Sequence, residues 1–399
     1  MWFDVVLVCM VVVLSIPLFV ITFQLLITLP HRKSTTLSLS EQKSVVRYKI
    51  IMPAHNEAEI IGKTLTDLIQ QGVSAHNVIV IADNCNDDTA KIASDLGVVI
   101  VERFNDKHRG KGFALDHGLQ YLKTHTPPDV VVILDADCEI NANSLKVLVN
   151  GCHEHQVPLQ ALYLMRNNKE DSLARRVAGF AWLVKNKIRP IAVNKLTLPV
   201  TLTGTGMTFP WKVISEVNVA HGNIVEDMQL GIDCTLAGFP PMLCEQAVVY
   251  SDFPEQGSDA EDTQRTRWEH GHLLTIVQQV PKLLKLAIIR KDFRLLGLAL
   301  DIAVPPLSLL VLLAIAGLFL LGIYSYTVGS SYSAFLMLLT SFCLFALMLV
   351  ITWWRFGRDY LTLKELCMIP VYVVSKISIY VMFLFKRQKS WIRTSRKTK

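Results

Sequence analysis

Residues Val5 to Leu29 form an unbroken run without one charged side chain, long enough to cross the ~30 Å hydrocarbon core of a bilayer as a helix. Further apolar runs lie near the C-terminus, at about Leu295–Tyr324, Tyr332–Trp354 and Leu366–Phe385. Between them, from roughly Lys43 to Arg294, charged, glycine, proline and apolar residues mix as in a soluble domain. The order is membrane, soluble domain, membrane. Composition agrees, because 51% of the 399 residues are hydrophobic and only 19% charged, too apolar for a disordered chain or an ordinary soluble globule.

Asp4 precedes the first run and His31-Arg32-Lys33 follows it, which reads as an uncleaved anchor whose C-terminal end faces the cytoplasm. The second run carries Asp301 and Pro305-Pro306 near its cytoplasmic end. Asp301 reads first as an interfacial residue and second as a functional buried acid. The run Leu366–Phe385 has Arg355 and Arg358 before it, a basic tail after it, and Pro370 and Lys376 inside it. It either spans or lies re-entrant at the surface. Pro281–Arg290, short and apolar with basic flanks, reads as an amphipathic helix on the membrane. The expected division is a 1–30 anchor, a 43–280 cytoplasmic domain and a 281–294 interfacial helix. A 295–386 membrane region with two spans plus a third spanning or re-entrant helix follows, then a 387–399 cytoplasmic tail.

Lys and Arg number 40 against 34 Asp and Glu, but seven of the basic residues lie in Lys386–Lys399; without them the balance is 33 to 34. The basic excess is therefore local and suits membrane lipids, and no basic face for nucleic acid is visible. The eight cysteines show no paired spacing, so neither a disulfide framework nor a zinc site is expected, and a reducing compartment fits them.

Within the middle, Tyr48–Met52, Val78–Ala82, Val98–Val101 and Val130–Leu134 are short β-branched runs. Helical patterns such as Ala58–Gln71, Thr89–Leu96 and Phe113–Lys123 separate them. Continuous apolar strands alternating with helices predict an α/β fold with a mostly parallel sheet and helices on both faces. Ligands bind such sheets at the carboxyl ends of the strands, and the polar clusters fall there. Pro53-Ala54-His55-Asn56-Glu57 follows the first strand, Asp83 closes the second, and Asp135-Ala136-Asp137 follows the fourth. An Asp-x-Asp turn is common on its own, yet directly after an apolar strand it is suited to share Mg²⁺ or Mn²⁺ with a diphosphate. Arg109-Gly110-Lys111-Gly112 precedes a helix, where a lysine meets phosphate; the spacing is not that of a P-loop. Thr203-Gly204-Thr205-Gly206, Val225-Glu226-Asp227 and Gln264-Arg265-Thr266-Arg267-Trp268 come later. A helix sets Gln264, Arg267 and Trp268 on one face, where an indole stacks on a sugar beside a guanidinium for phosphate.

Together and in this order, over about Tyr48 to Leu274, these motifs resemble the membrane-bound family 2 glycosyltransferases of the GT-A fold. That group includes the hyaluronan, cellulose and poly-N-acetylglucosamine synthases. The resemblance implies that Glu57 and Asp83 hold the uridine and ribose, with Pro53 beside them, and that Lys111 holds the diphosphate. Asp135 and Asp137 would hold nucleotide and metal, Mg²⁺ or Mn²⁺. Asp227 would be the catalytic base with Glu226 beside it, and Arg267 would steady the leaving diphosphate. Gln264 and Gly204, Thr205 and Gly206 would line the substrate site, and Trp268 would floor the acceptor site. The chain departs from the pattern at Ala82, where an acid is usual, and at Asn84-Cys85, where Gly-Ser is usual.

One base without a second nucleophile implies single displacement with inversion. The expected function is transfer of a sugar from a nucleotide-diphospho-sugar, a UDP-sugar first, to a growing polysaccharide at the cytoplasmic face of a bacterial inner membrane. Other polysaccharide-assembly or export proteins would be partners. The small membrane part favours an alternative, transfer of one sugar to a polyprenyl-phosphate-linked or ceramide-like lipid. A sugar-nucleotide pyrophosphorylase would carry a Gly-rich Arg-Lys signature near its first strand, which Pro53–Glu57 lacks, and a non-catalytic membrane scaffold would not need every acidic position filled.

Overall fold

The structure is a computed structural model that describes residues 2–31, 46–168, 170–220, 222, 224–254 and 259–385. The expected basic tail at 387–399 lies outside the described residues, as do Arg32 and Lys33. Helix α1 (Trp2–Thr28) comes first, followed by β1 (Tyr48–Ala54), α2 (Ile61–Gln70), β2 (Val78–Asp83), α3 (Thr89–Asp95), β3 (Val99–Arg103), α4 (Lys111–Thr124) and β4 (Val130–Ile133). Next come β5 (Glu139–Ile140), α5 (Ala142–His155), β6 (Leu159–Met165), α6 (Leu173–Leu183) and α7 (Arg189–Lys195). The chain continues with β7 (Met207–Pro210), α8 (Trp211–Ile214), α9 (Glu226–Leu236) and β8 (Met242–Ser251). Helices α10 (Asp259–Arg290), α11 (Phe293–Ile302), α12 (Leu307–Val328), α13 (Tyr332–Thr352), α14 (Leu363–Cys367), α15 (Ile369–Ser375) and α16 (Ile377–Phe385) close the described chain.

The chain forms two compact units. One holds the described parts of Lys33–Arg166 and Thr197–Gly271 and contains an eight-stranded sheet of order β3-β2-β1-β4-β7-β6-β8-β5. Strands β3, β2, β1 and β4 are parallel, with Ile50 opposite both Val78 and Val132. Every residue of β2 and β4 is buried, the mark of strands covered on both faces. Leu115, Leu119 and Leu122 of α4 pack on Ile51, Ile79, Ile81, Val131 and Ile133. The predicted parallel arrangement stops at β4: β7 runs antiparallel to β4 and β6, and β5 antiparallel to β8. The chain order changes direction across the sheet between β1 and β4, so a crevice opens at the carboxyl ends of these two strands.

The other unit gathers the described parts of Met1–Arg32, Asn167–Leu196 and His272–Arg387. Asn167–Leu196 thus packs with the apolar helices, although the sequence alone placed it inside the 43–280 domain. Among the described residues, four helices are long and apolar enough to cross a membrane by length and composition: Asp4–Thr28, Thr263–Arg290, Leu307–Val328 and Tyr332–Gly357. The expected span Leu295–Tyr324 is instead two helices, broken between Ile302 and Leu307. Pro305-Pro306 causes the break, since proline offers no N–H and disfavours helix before it. The expected separate interfacial helix at 281–294 is the end of α10, which stops at Arg290. The run Leu366–Phe385 is helical in short pieces interrupted at Met368 and Lys376.

Asp301 is a buried ion-pair partner in this unit. Arg189 Nη2 donates to its carboxylate at 2.8 Å and to its carbonyl at 2.7 Å, and Gln24 Nε2 donates to the same carboxylate at 2.7 Å. Arg189 Nε donates in turn to Gln24 Oε1 at 3.0 Å. The fork of the guanidinium thus closes a ring joining α1, α7 and α11.

Candidate active site

Strand β1 ends at Ala54, and the loop after it is tied to the loop after β2. Asn86 N–H donates to Asn56 Oδ1 at 2.8 Å, Glu57 N–H to Thr89 Oγ1 at 2.8 Å, and the His55 ring nitrogen Nδ1 shares a hydrogen with the Asp83 carbonyl at 2.6 Å. Pro53 sits near the end of β1, opposite Ile81, and Glu57 on a loop fixed by backbone donors. Asp83 is buried and paired with Arg103, whose Nη1 donates to Oδ1 at 2.6 Å, while Nη2 caps the His108 carbonyl at 2.6 Å. Arg103 closes β3 and was not singled out in the sequence; a cation ending an apolar strand was its only signal. The unusual Asn84 also finds its reason. It adopts φ +50°, a left-handed conformation that Asn tolerates better than most residues, and its side chain accepts from Asn105 N–H at 2.7 Å.

Around the ends of β1 and β4, four motifs come together. Lys111, at the first turn of α4, donates from Nζ to the Gly204 carbonyl at 2.6 Å and forms an ion pair with Asp135. Gly204 has φ +91°, and a Cβ there would stand 3.3 Å from Asp227 Oδ2 and 3.6 Å from Lys111 Nζ. Only glycine suits both that conformation and that space. Buried Thr205 receives the Asp135 N–H on Oγ1 at 3.1 Å. Gly206, at φ +63°, lets the backbone approach Val249 and Ala161, which a Cβ would meet at 2.7 and 3.0 Å. Glu226 and Asp227 open α9, and Asp227 Oδ1 accepts from Met228 N–H at 2.8 Å.

A second unpredicted residue holds this loop. Gln160, 2% exposed, donates from Nε2 to the Thr205 carbonyl at 2.9 Å and accepts the Thr203 N–H at 2.9 Å. A lone glutamine in the apolar strand Leu159–Met165 was the available signal.

Removal from water raises the pKa of Asp135, helped by Asp137 and opposed by Lys111. Glu226 is pushed up to about 7, first by loss of hydration and then by the charge of Asp227, against the pull of Lys111 and Arg267. Burial lowers the Lys111 ammonium, but Asp135 and Glu226 outweigh it and the net shift is upward. Arg267 is thus within electrostatic reach of Glu226, and its buried Nε has no hydrogen-bond partner among the described residues. Gln264 and Trp268 share α10 with it, both half-buried.

Asp135, Asp137 and Cys138 each offer one ligand atom, all within 4.8 Å of one another. Burial pushes the Cys138 thiol well above its ordinary value, and it donates to Asp137 Oδ1 at 3.5 Å. The thiol stays protonated, so the two carboxylates are the usable donors. Hard oxygen donors suit Mg²⁺ or Mn²⁺, and carboxylates outnumber the one lysine here, an imbalance that a divalent cation offsets.

Residues 49–207 match the family described as Glycosyl transferase family 2, and residues 130–356, more than half of the chain, match Glycosyl transferase family group 2. The chain therefore belongs to the family 2 glycosyltransferases and has the GT-A fold. A 4,4'-diaponeurosporenoate glycosyltransferase of Staphylococcus aureus (strain USA300) is 33% identical over 102 residues. That match covers 25% of this chain and only 27% of the relative's length. Among solved structures, the mannosyltransferase PcManGT from Pyrobaculum calidifontis, in complex with GDP-Man and Mn²⁺, superposes with a TM-score of 0.57. It is 17% identical, and the alignment covers 96% of this chain and 100% of that one.

Proposed function

We propose that the protein transfers one sugar, with inversion, from a nucleotide-diphospho-sugar to a lipid acceptor held in the membrane. The observation that carries the transfer is the meeting of Lys111, Asp135, Gly204 and Asp227 at the carboxyl ends of β1 and β4. The small number of long apolar helices among the described residues supports the lipid acceptor, as does the partial match to a 4,4'-diaponeurosporenoate glycosyltransferase.

In this reading Glu57 and Asp83 seat the nucleoside, with Asp83 oriented by Arg103. Lys111 and Arg267 meet the diphosphate. Asp227 takes the proton of the acceptor hydroxyl as that oxygen forms its bond to the anomeric carbon. The bond from that carbon to the diphosphate oxygen breaks, and the nucleoside diphosphate leaves with the electron pair. Lys111 and Arg267 face the charge that grows on it. Asp135 and Asp137 would hold Mg²⁺ or Mn²⁺, which supplies Lewis-acid stabilisation to a diphosphate when bound. Gly204 keeps the space beside Asp227 open for the reacting atoms, and Trp268 offers an indole to the acceptor side.

The test is to incubate the purified full chain with Mn²⁺, lipid extract and a panel of UDP- and GDP-sugars, reading nucleoside diphosphate release and product mass. One donor consumed well above the rest, with a single sugar added to a lipid, supports the proposal. A ladder of polymer lengths would overturn the lipid acceptor and favour polysaccharide synthesis. No turnover of any donor would overturn the transfer itself.

A further inference from the structure

We propose that the corner joining α10 to α11 is a docking site for anionic phospholipid headgroups. Lys282, Lys285, Arg290, Lys291 and Arg294 are all exposed there. None of the five side chains has a hydrogen-bond or ion-pair partner among the described residues. The single acid within the corner, Asp292, is used as a helix cap, accepting the Arg294 N–H at 2.8 Å. Local charge is therefore strongly positive and uncompensated.

Apolar side chains alternate with these cations and are equally open. Ile288 is 78% exposed, Ile289 64% and Phe293 66%. Single exposed apolar residues are ordinary, but this cluster is contiguous in sequence and interleaved with cations. Leu283 and Ala287 occupy the opposite, buried side of α10, so the packing already has its own face. The exposed side is thus spare, and it pairs apolar groups suited to the acyl boundary with cations suited to phosphate.

The turn geometry keeps the cations in place. Asp292 N–H donates to the Ala287 carbonyl at 3.0 Å and Lys291 N–H to that of Ile288 at 3.3 Å, with Lys291 at φ +51°. This is a helix-ending motif in which glycine usually takes the left-handed position. Here that position carries a cation. An acidic protein surface would match the charge but not Ile288, Ile289 and Phe293. Zwitterionic lipid would match the apolar residues but leave the cations without counter-charge. An anionic lipid surface satisfies both.

The full chain in nanodiscs of phosphatidylcholine, with or without phosphatidylglycerol, tests this. Each lipid carries a photoreactive group near the glycerol, and adducts are mapped by mass spectrometry. Phosphatidylglycerol should label the 282–296 segment about ten-fold more than phosphatidylcholine at equal mole fraction. The set K282Q, K285Q, R290Q, K291Q and R294Q should erase that excess. A charge-keeping set, with each Lys→Arg and each Arg→Lys, should retain it and controls for folding. Equal labelling by the two lipids, labelling absent from the segment, or an excess that survives the glutamine set would overturn the proposal. Sugar transfer need not be measured, so the result stands apart from the proposed reaction.

Discussion

Lys111 carries two duties at once: it pins the Gly204 carbonyl and it balances Asp135. Lys111→Met should leave half-buried Asp135 beside other carboxylates without its cation, costing about 1–3 kcal/mol. Donor affinity should fall with it in a calorimetric titration. Asp227→Asn keeps the shape but loses the proton acceptor; we expect transfer to fall by about 10²–10⁴-fold with donor binding nearly unchanged. Undiminished turnover in that variant would remove Asp227 from the role. Glu226 gives a pH signature. Its pKa in the fold, about 7, lies above its ordinary value of 4.5, so the native state holds a proton that the unfolded chain releases. Its contribution to stability is complete below about pH 4.5 and is lost as pH rises through about 7. Glu226→Gln should remove that slope, leaving the donor-free and metal-free variant roughly 3 kcal/mol more stable than wild type at pH 8 relative to their difference at pH 4. Urea unfolding at the two pH values would show it.

At the scale of the element, the loop Thr203–Gly206 matters most. Gly204→Ala adds strain at a positive φ and a methyl group against Asp227 Oδ2, so activity should be lost and the fold destabilised by about 1–2 kcal/mol, read in a thermal unfolding curve. Gln160→Leu removes both amide partners of the same loop from a buried strand, which should destabilise the fold by about 1–3 kcal/mol in a chemical denaturation curve. This loop also shows where sequence reading succeeds and stops. The strands at Tyr48, Val78 and Val130 were legible because buried parallel strands are continuous apolar runs. The acidic patches were legible because each directly follows such a strand. Arg103 and Gln160 were not, because a buried polar residue announces itself only through partners far away in sequence, here Asp83 and Thr205. The antiparallel β7 was missed because Met207–Pro210 is four residues long and follows a glycine-rich loop. The break before α12 was visible as Pro305-Pro306, yet run length masked it.

For the molecule as a whole, the segment Asn167–Leu196, read from the sequence as part of the 43–280 domain, belongs to the unit of the apolar helices. It is neither strand nor uniformly apolar, and its partners, α1 and α11, are at opposite ends of the sequence. Removing divalent cations with a chelator should silence the full-length protein, with activity restored by Mn²⁺ or Mg²⁺; turnover unaffected by chelation would reject Asp135 and Asp137 as a cation site. The ring of Gln24, Arg189 and Asp301 makes a sharper statement about the first helix. Arg189→Met alone should strand Asp301 and cost about 3–5 kcal/mol, whereas Arg189→Met with Asp301→Leu should recover most of that loss, as heat inactivation in detergent would report. A generic leucine-rich anchor spliced in place of Trp2–Thr28 would still insert in a bilayer, but it would bring no amide to meet the guanidinium. The N-terminal helix is accordingly a co-folding partner of α7 and α11, and a tether of equal length and greasiness is no substitute for it.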